Sequence, residues 1–280
     1  MEHRDRASGW KHAKLSGHSN EERVKSLLDT DAEFQKDFLT RIGKPSDKIV
    51  RSTIGGLHET SVPGVLGKKT KSKTDLKVYC KSGRQLNVSI KKSLTGQVYF
   101  VKADLFIEVF EKQFNKTISD TVKRAIRLFW AAADDATQII EDYADKSDKG
   151  KYELQLRHKS LNATTLKKYD PSLYNGMLKW FQDNAYEIAK LSFTMGAVKD
   201  RNEWSEYVWY VNMLGENSID EIFHIDDICS AAKEESVRQT AYGDKNGGTA
   251  IQLPFGFVEW HQKQMQFHHD YLKVKRLCER

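Results

Sequence analysis

The sequence predicts an α/β or α+β fold, and three observations carry it. Helical spacing of apolar residues fills much of 19–43 and 119–195, with capping signals at several ends. Strict alternation marks 74–92, on both sides of a glycine turn. Strand composition returns in SEYVWYVN (205–212) and again in TAIQLPFGFVEW and QMQFHHDY near the end. The resulting order is helices, mixed strands, long helices, then strands again, which suits layers of helix on a mixed sheet.

Element by element, SNEE fits the capping box S-x-x-E. It predicts a first helix starting at Ser19, with Glu22 closing the box and Val24, Leu27 and Leu28 buried. DAEFQKDFLTRIG predicts a second helix ending at Gly43. Residues 48–66 read as loop or short strand, with IGGLHE and VPG as breakers. The hairpin follows, and helix is expected from about residue 98. One long amphipathic helix is expected from Ser119 to Tyr143, then a polar linker in DKSDKGK. Asp170–Pro171 is a strong helix start, for a helix reaching about Met195. IDDICSAAKEES predicts a short helix before the closing strands.

The chain has 280 residues, 39% hydrophobic and 30% charged, enough to bury a large core. No run of eighteen apolar residues occurs, and MEHRDRASGWKHAK lacks the apolar centre of a secretory signal. Cys80, Cys229 and Cys278 are far apart and form no CxxC pair. This argues against a disulfide framework or a structural zinc, and predicts a cytoplasmic protein. GxxxxGK[ST] and GxSxG are both absent.

The net charge of +6 is unevenly spread. Lys68, Lys69, Lys71, Lys73, Lys77, Lys81, Arg84, Lys91 and Lys92 crowd one stretch, against the single acid Asp75. Such a stripe suits a polyanion, because each lysine near a phosphate releases counterions; a solvated lysine-rich surface is the plain alternative.

Alternation decides which side chains share a face. Asp75, Lys77 and Tyr79 point one way on the first strand, and Asn87, Ser89 and Lys91 share a face on the second. An odd loop, such as Ser82–Gly83–Arg84, pairs 75 with 91 and 77 with 89; a two-residue loop parts them. Asp75 beside Lys91 is either a cross-strand ion pair or a hydrolytic metal site. In the second case Asp75 binds Mg²⁺, Lys91 orients the attacking water, and Ser89 and the Ile90 carbonyl offer neutral oxygens. Glu21 falls on the apolar side of the first helix, with Val24 and Leu28. A carboxylate there is paired, bound to a cation, or escaping to solvent near the helix dipole.

TDLKVYCKSGRQLNVSIKKS resembles the D…(E/N/Q/S)xK signature of the PD-(D/E)xK nuclease superfamily, and of type II restriction endonucleases within it. Asp75 matches the aspartate, and Ser89–Ile90–Lys91 the triplet. Thr74 stands where proline is common, and Ser89 where Glu or Asp is usual. GHSNEERVKSLL is similar to the first helix of several such enzymes, with Glu21 facing the site, and Gln97 falls where many members carry a glutamine.

The resemblance implies a central mixed sheet flanked by helices, in a restriction-endonuclease-like core. It implies one nuclease domain over 1–280, with a catalytic core at about 17–145 and the region 160–275 completing the fold and helping to read DNA. It implies a Mg²⁺-dependent, sequence-specific double-strand DNA endonuclease leaving 5′-phosphates. Asp75, Ser89, Lys91 and Glu21 would be catalytic, and Asp75, Ile90 and Glu21 would hold metal. Lys73, Lys92, Ser93 and Gln97 are the expected DNA contacts, and residues between Arg238 and Tyr271 join the expected reading surface. A homodimer and a DNA methyltransferase encoded nearby are also expected. The rivals are a structure-specific repair nuclease and a non-catalytic DNA-binding protein.

Overall fold

The computed structural model describes residues 6–55, 61–215, 218–236, 248 and 250–279, with side chains from residue 17 onward. The segment 56–60 of the expected breaker, and residues 238–247 and 249 of the expected reading surface, lie outside the described residues.

Along the chain, α1 (Arg6–Thr30) and α2 (Ala32–Arg41) precede β1 (Ile49–Ile54), the short strands β2 (Val62–Pro63) and β3 (Lys69–Thr70), and the hairpin β4 (Leu76–Cys80) and β5 (Gln85–Lys91). β6 (Thr95–Val101) leads into α3 (Ala103–Phe114), α4 (Asp120–Phe129), α5 (Ala136–Tyr143), α6 (Lys149–His158), α7 (Ala163–Tyr169), α8 (Pro171–Asp183) and α9 (Ala185–Lys190). β7 (Tyr207–Val211), β8 (Asp220–His224), α10 (Ile225–Ser236), β9 (Ala250–Leu253), β10 (Gly256–His261), β11 (Gln264–Asp270) and α11 (Tyr271–Cys278) complete it.

The chain divides into two compact units, each built from two separate stretches: 1–94 with 193–226, and 95–192 with 227–280. Among the described residues of the first unit, five strands form one sheet in the order β1-β4-β5-β7-β8. It is a mixed sheet, because β5 and β7 run parallel while the other neighbours are antiparallel. Helices α1 and α2 lay Val24, Leu28, Phe38 and Leu39 on one face of it, against Leu76, Val78, Leu86, Val88, Ile90 and Trp209. Trp209 stacks on Phe34 and Phe38, with ring centroids 5.7 and 5.1 Å away, so it is core. The second unit holds an antiparallel sheet in the order β6-β11-β10-β9. Tyr99 and Phe267 of that sheet join Phe106, which also meets Phe110, Trp180 and Phe181.

Several expectations are corrected. α1 begins before residue 19, so Ser19 lies mid-helix and the SNEE pattern is no N-terminus; nothing upstream of it breaks the helix. The stretch from residue 98 to 101 is strand, since β6 pairs with β11 and buries Tyr99 and Val101. The expected long helix at 119–143 is two helices: Ala131 adopts a left-handed φ of 62°, which a continuous helix forbids. Part of DKSDKGK is helix, because Asp148 caps α6 by accepting from Lys151 N–H. The YLKV end of the closing strands is helical as well, capped by Asp270.

In the second unit Gly256 lies where β10 meets β11. A Cβ there would stand 1.9 Å from the His268 carbonyl oxygen. Backbone cannot yield as a side-chain tip does, so Gly256→Ala is expected to cost on the order of 3 kcal/mol, read from the midpoint of urea unfolding. Gly17→Ala is the control: it lies in α1 with open space around it, and should stabilise by about 0.5–1 kcal/mol.

Candidate active site

The hairpin turn sets the site. Gly83 takes φ 85° at the last position of a three-residue turn, Lys81–Ser82–Gly83, closed by Cys80 N–H donating to the Arg84 carbonyl at 2.9 Å. Asp47 steadies it by accepting from Ser82 N–H and Oγ. The loop is odd, so Asp75, Ser89 and Lys91 do share a face. However, it starts one residue earlier than Ser82, and the register shifts: Leu76 lies opposite Val88 and Lys77 opposite Asn87, not Ser89. Asp75 stands just ahead of the ladder, its N–H donating to the Val88 carbonyl at 3.0 Å.

From there the Asp75 carboxylate meets the whole triplet. One of its oxygens accepts from Ser89 Oγ at 2.9 Å and from Ile90 N–H at 2.8 Å, with Lys91 Nζ at 3.4 Å. Lys91 Nζ also donates to Ser89 Oγ at 2.7 Å and to the Ile90 carbonyl at 3.2 Å. Ser89 therefore bridges the two, receiving from the lysine and donating to the aspartate. Asp75 and Lys91 both keep some exposed surface, so the pair sits at a rim that a ligand can reach.

Glu21 faces this cluster from α1, and its side chain is 16% exposed. Burial, then the Asp75 charge, pushes its carboxyl up to about 8, against the pull of Lys91. Glu22 is exposed. The inward glutamate is thus Glu21, although the capping-box argument that set Glu22 aside does not hold. His18 Nδ1 lies 3.3 Å from Glu21 one turn earlier.

The polar side of the hairpin is buried. Lys77 is 7% exposed, Asn87 4% and Ser89 3%. Residues 193–206 cover them: Asn87 Nδ2 donates to the carbonyls of Asn202 and Trp204, and Lys77 pairs with Glu203 at 2.9 Å. Lys77 therefore leaves the expected polyanion stripe. The same segment holds the approach to Asp75, where Thr74 is fully buried and its Oγ1 donates to the Glu203 carbonyl at 2.9 Å. Lys77→Met is expected to cost on the order of 3 kcal/mol by stranding Glu203, and Lys77→Met with Glu203→Gln to recover most of it in urea unfolding.

Of the expected DNA contacts, Lys73 lays its stem over Gly196: a Cβ on Gly196 would fall 2.9 Å from Lys73 Cε. Burial, then the Lys91 charge, pushes the Lys73 ammonium down to about 7. Lys92 and Ser93 follow the end of β5, with Ser93 exposed. Gln97 belongs to the second unit, on β6, where its Oε1 accepts from Gln266 Nε2 at 3.0 Å. His268 and His269 are neighbours on β11. His269 is 1% exposed, while His268 lies 3.1 Å from Glu259 and stacks on Phe257.

The oxygens available to a cation are the Asp75 and Glu21 carboxylates, Ser89 Oγ and the Ile90 carbonyl. Among the described residues no group of three or more His, Cys, Asp or Glu gathers to hold a metal. An all-oxygen set with two carboxylates fits a hard divalent ion that keeps several waters. The Asp75 repulsion that adds to burial at Glu21 is the charge such an ion offsets.

No family model matches the chain. No curated protein sequence matches it either. Among solved structures it is similar to the restriction endonuclease MspI in complex with its cognate DNA, at 13% identity and a TM-score of 0.48, over 88% of this chain and 83% of that one. No described helix is long and apolar enough to cross a membrane.

Proposed function

We propose that the chain is a Mg²⁺-dependent endonuclease that cuts double-stranded DNA at specific sequences, as type II restriction enzymes do, leaving 5′-phosphates. One observation carries the reading: Asp75, Ser89 and Lys91 form a single hydrogen-bonded set at an accessible rim, with Glu21 turned toward it. An ordinary cross-strand ion pair needs neither the bridging serine nor a second, half-buried carboxylate.

Asp75 and Glu21 would hold the ion, with the Ile90 carbonyl beside them. Once bound, Mg²⁺ supplies Lewis-acid charge to the scissile phosphate and the attacking water. Lys91 Nζ orients that water and places positive charge beside the non-bridging phosphate oxygens as they gain charge. A bond forms from the water oxygen to phosphorus, the bond to the 3′ oxygen breaks, the water's proton leaves to solvent, and the departing 3′ oxygen takes a proton from solvent. Ser89 accepts from Lys91 and donates to Asp75, so one hydroxyl orients both side chains beside their direct 3.4 Å contact. Lys73, Lys92, Ser93 and Gln97 are assigned to the DNA backbone and bases. A homodimer matching a two-fold site, and a companion methyltransferase encoded nearby, belong to the same reading.

The test is digestion of phage DNA with Mg²⁺. Discrete fragments, with sequenced ends sharing one site and carrying 5′-phosphates, are expected. Cleavage confined to branched junctions would move the chain to repair. Retardation of DNA without cleavage would make it a simple binding protein.

A further inference from the structure

Asn20 is fully buried in the middle of α1, where an amide is costly unless every polar atom finds a partner. Its Nδ2 donates to the Val211 carbonyl at 3.0 Å, and its Oδ1 accepts from Met213 N–H at 2.7 Å. One carbonyl and one N–H as partners fix which end of the amide is which. Arg23 adds a bond from the next turn to the Met213 carbonyl at 2.6 Å. α1 is thereby latched to the last residue of β7 and the backbone just beyond it. β7 runs parallel to β5 with Tyr210 opposite Lys91, so the latch lies at the level of the candidate site.

We propose that Asn20 is the positioning residue for Glu21, fixing the rotation of α1 so that this carboxylate faces Asp75. The proposal rests on the reading of Glu21 as a cation ligand. Asn20, Val24 and Leu28 recur every four residues along the inward stripe of α1, and all three are 0% exposed. Glu21 stands about 100° around the helix from Asn20. Apolar packing by Val24 and Leu28 has no direction, so it tolerates small rotations. A rotation of about 20° carries a side chain at a helix radius of about 5–6 Å through about 2 Å. That is more than a reacting site tolerates without large losses. The amide is directional, and it adjoins Glu21 in sequence.

The experiment compares the native protein, Asn20→Leu, Glu21→Gln and the double variant. It reads Ca²⁺ affinity by calorimetry and thermal midpoint for each. Asn20→Ser, which stays polar but cannot span both partners, runs alongside. Either Asn20 variant is expected to weaken Ca²⁺ binding about ten-fold when Glu21 is present. With Glu21→Gln the loss should shrink to less than about two-fold, while the midpoint falls equally in both backgrounds. Equal losses of affinity in both backgrounds would reduce Asn20 to a residue of the fold and overturn the proposal. So would unchanged affinity in the native background, or loss of folding in both Asn20 variants. If Glu21→Gln alone leaves affinity intact while Asp75→Asn abolishes it, the ligand reading of Glu21 fails, and the proposal falls with it.

Discussion

Asp75→Asn and Lys91→Ala are each expected to slow DNA cleavage by at least about 10³-fold, with folding and DNA binding kept. Asparagine is nearly the same shape, and its oxygen can still accept from Ile90 N–H and Ser89 Oγ, which now reach Asp75 at 2.8 and 2.9 Å. What it loses is the charge, and with it the hold on a divalent ion. Lys91→Ala keeps the carboxylate but removes the ammonium that donates to Ser89 Oγ. Both residues lie at a rim, so neither change opens a core cavity. Single-turnover cleavage with Mg²⁺, beside binding measured with Ca²⁺, separates chemistry from affinity. Cleavage within ten-fold of native in either variant would remove that residue from the reaction.

The second large effect is on stability against pH in the cation-free protein. Glu21 keeps its proton up to about 8 in the folded chain, against a normal value of 4.5. Between those values the native state holds a proton that the unfolded chain has lost, so stability falls as pH rises and levels off above about 8. The contribution is full below pH 4.5, where both states are protonated. Glu21→Gln should flatten that slope and gain on the order of 2 kcal/mol at pH 8, a figure discounted because the side chain keeps some solvent. Millimolar Mg²⁺ should recover a similar part of the loss in the native protein but not in the variant. Urea unfolding from about pH 5 to pH 9, with and without MgCl₂, reads both effects.

The elements legible in the sequence were those whose signals are local. Asp170 and Pro171 start α8 as their chemistry dictates, and Asp170 accepts from Ser172 and Leu173 N–H. The aromatic and β-branched run of β7 is buried strand throughout. The odd turn that brings Asp75, Ser89 and Lys91 to one face was readable from Gly83, but its start was not. A left-handed glycine can occupy more than one position of a three-residue turn, and the choice moves the partner of Lys77 from Ser89 to Asn87.

What stayed hidden was made by distant chain. The polar face of the hairpin reads as solvent-exposed until residues 193–206 are laid over it, and no local pattern announces a cover more than a hundred residues away. From about residue 98 the apolar run suits a helix or a strand equally, and its pairing with β11 decides. Asn20 offered a signal in retrospect: a polar residue in register with Val24 and Leu28.

The parallel neighbour of β5 has a consequence for how the protein comes into being. β5 carries Ser89 and Lys91, yet its partner β7 is separated from it by the whole of 95–192. A ribosome making the chain from its N-terminus therefore exposes the hairpin long before β7 exists. Until then one edge of β5 has no strand beside it, and the latch at Val211 and Met213 is missing. Pairing across so long an interval is slow, and it orders late. The candidate site is therefore completed only after most of the length has been synthesised.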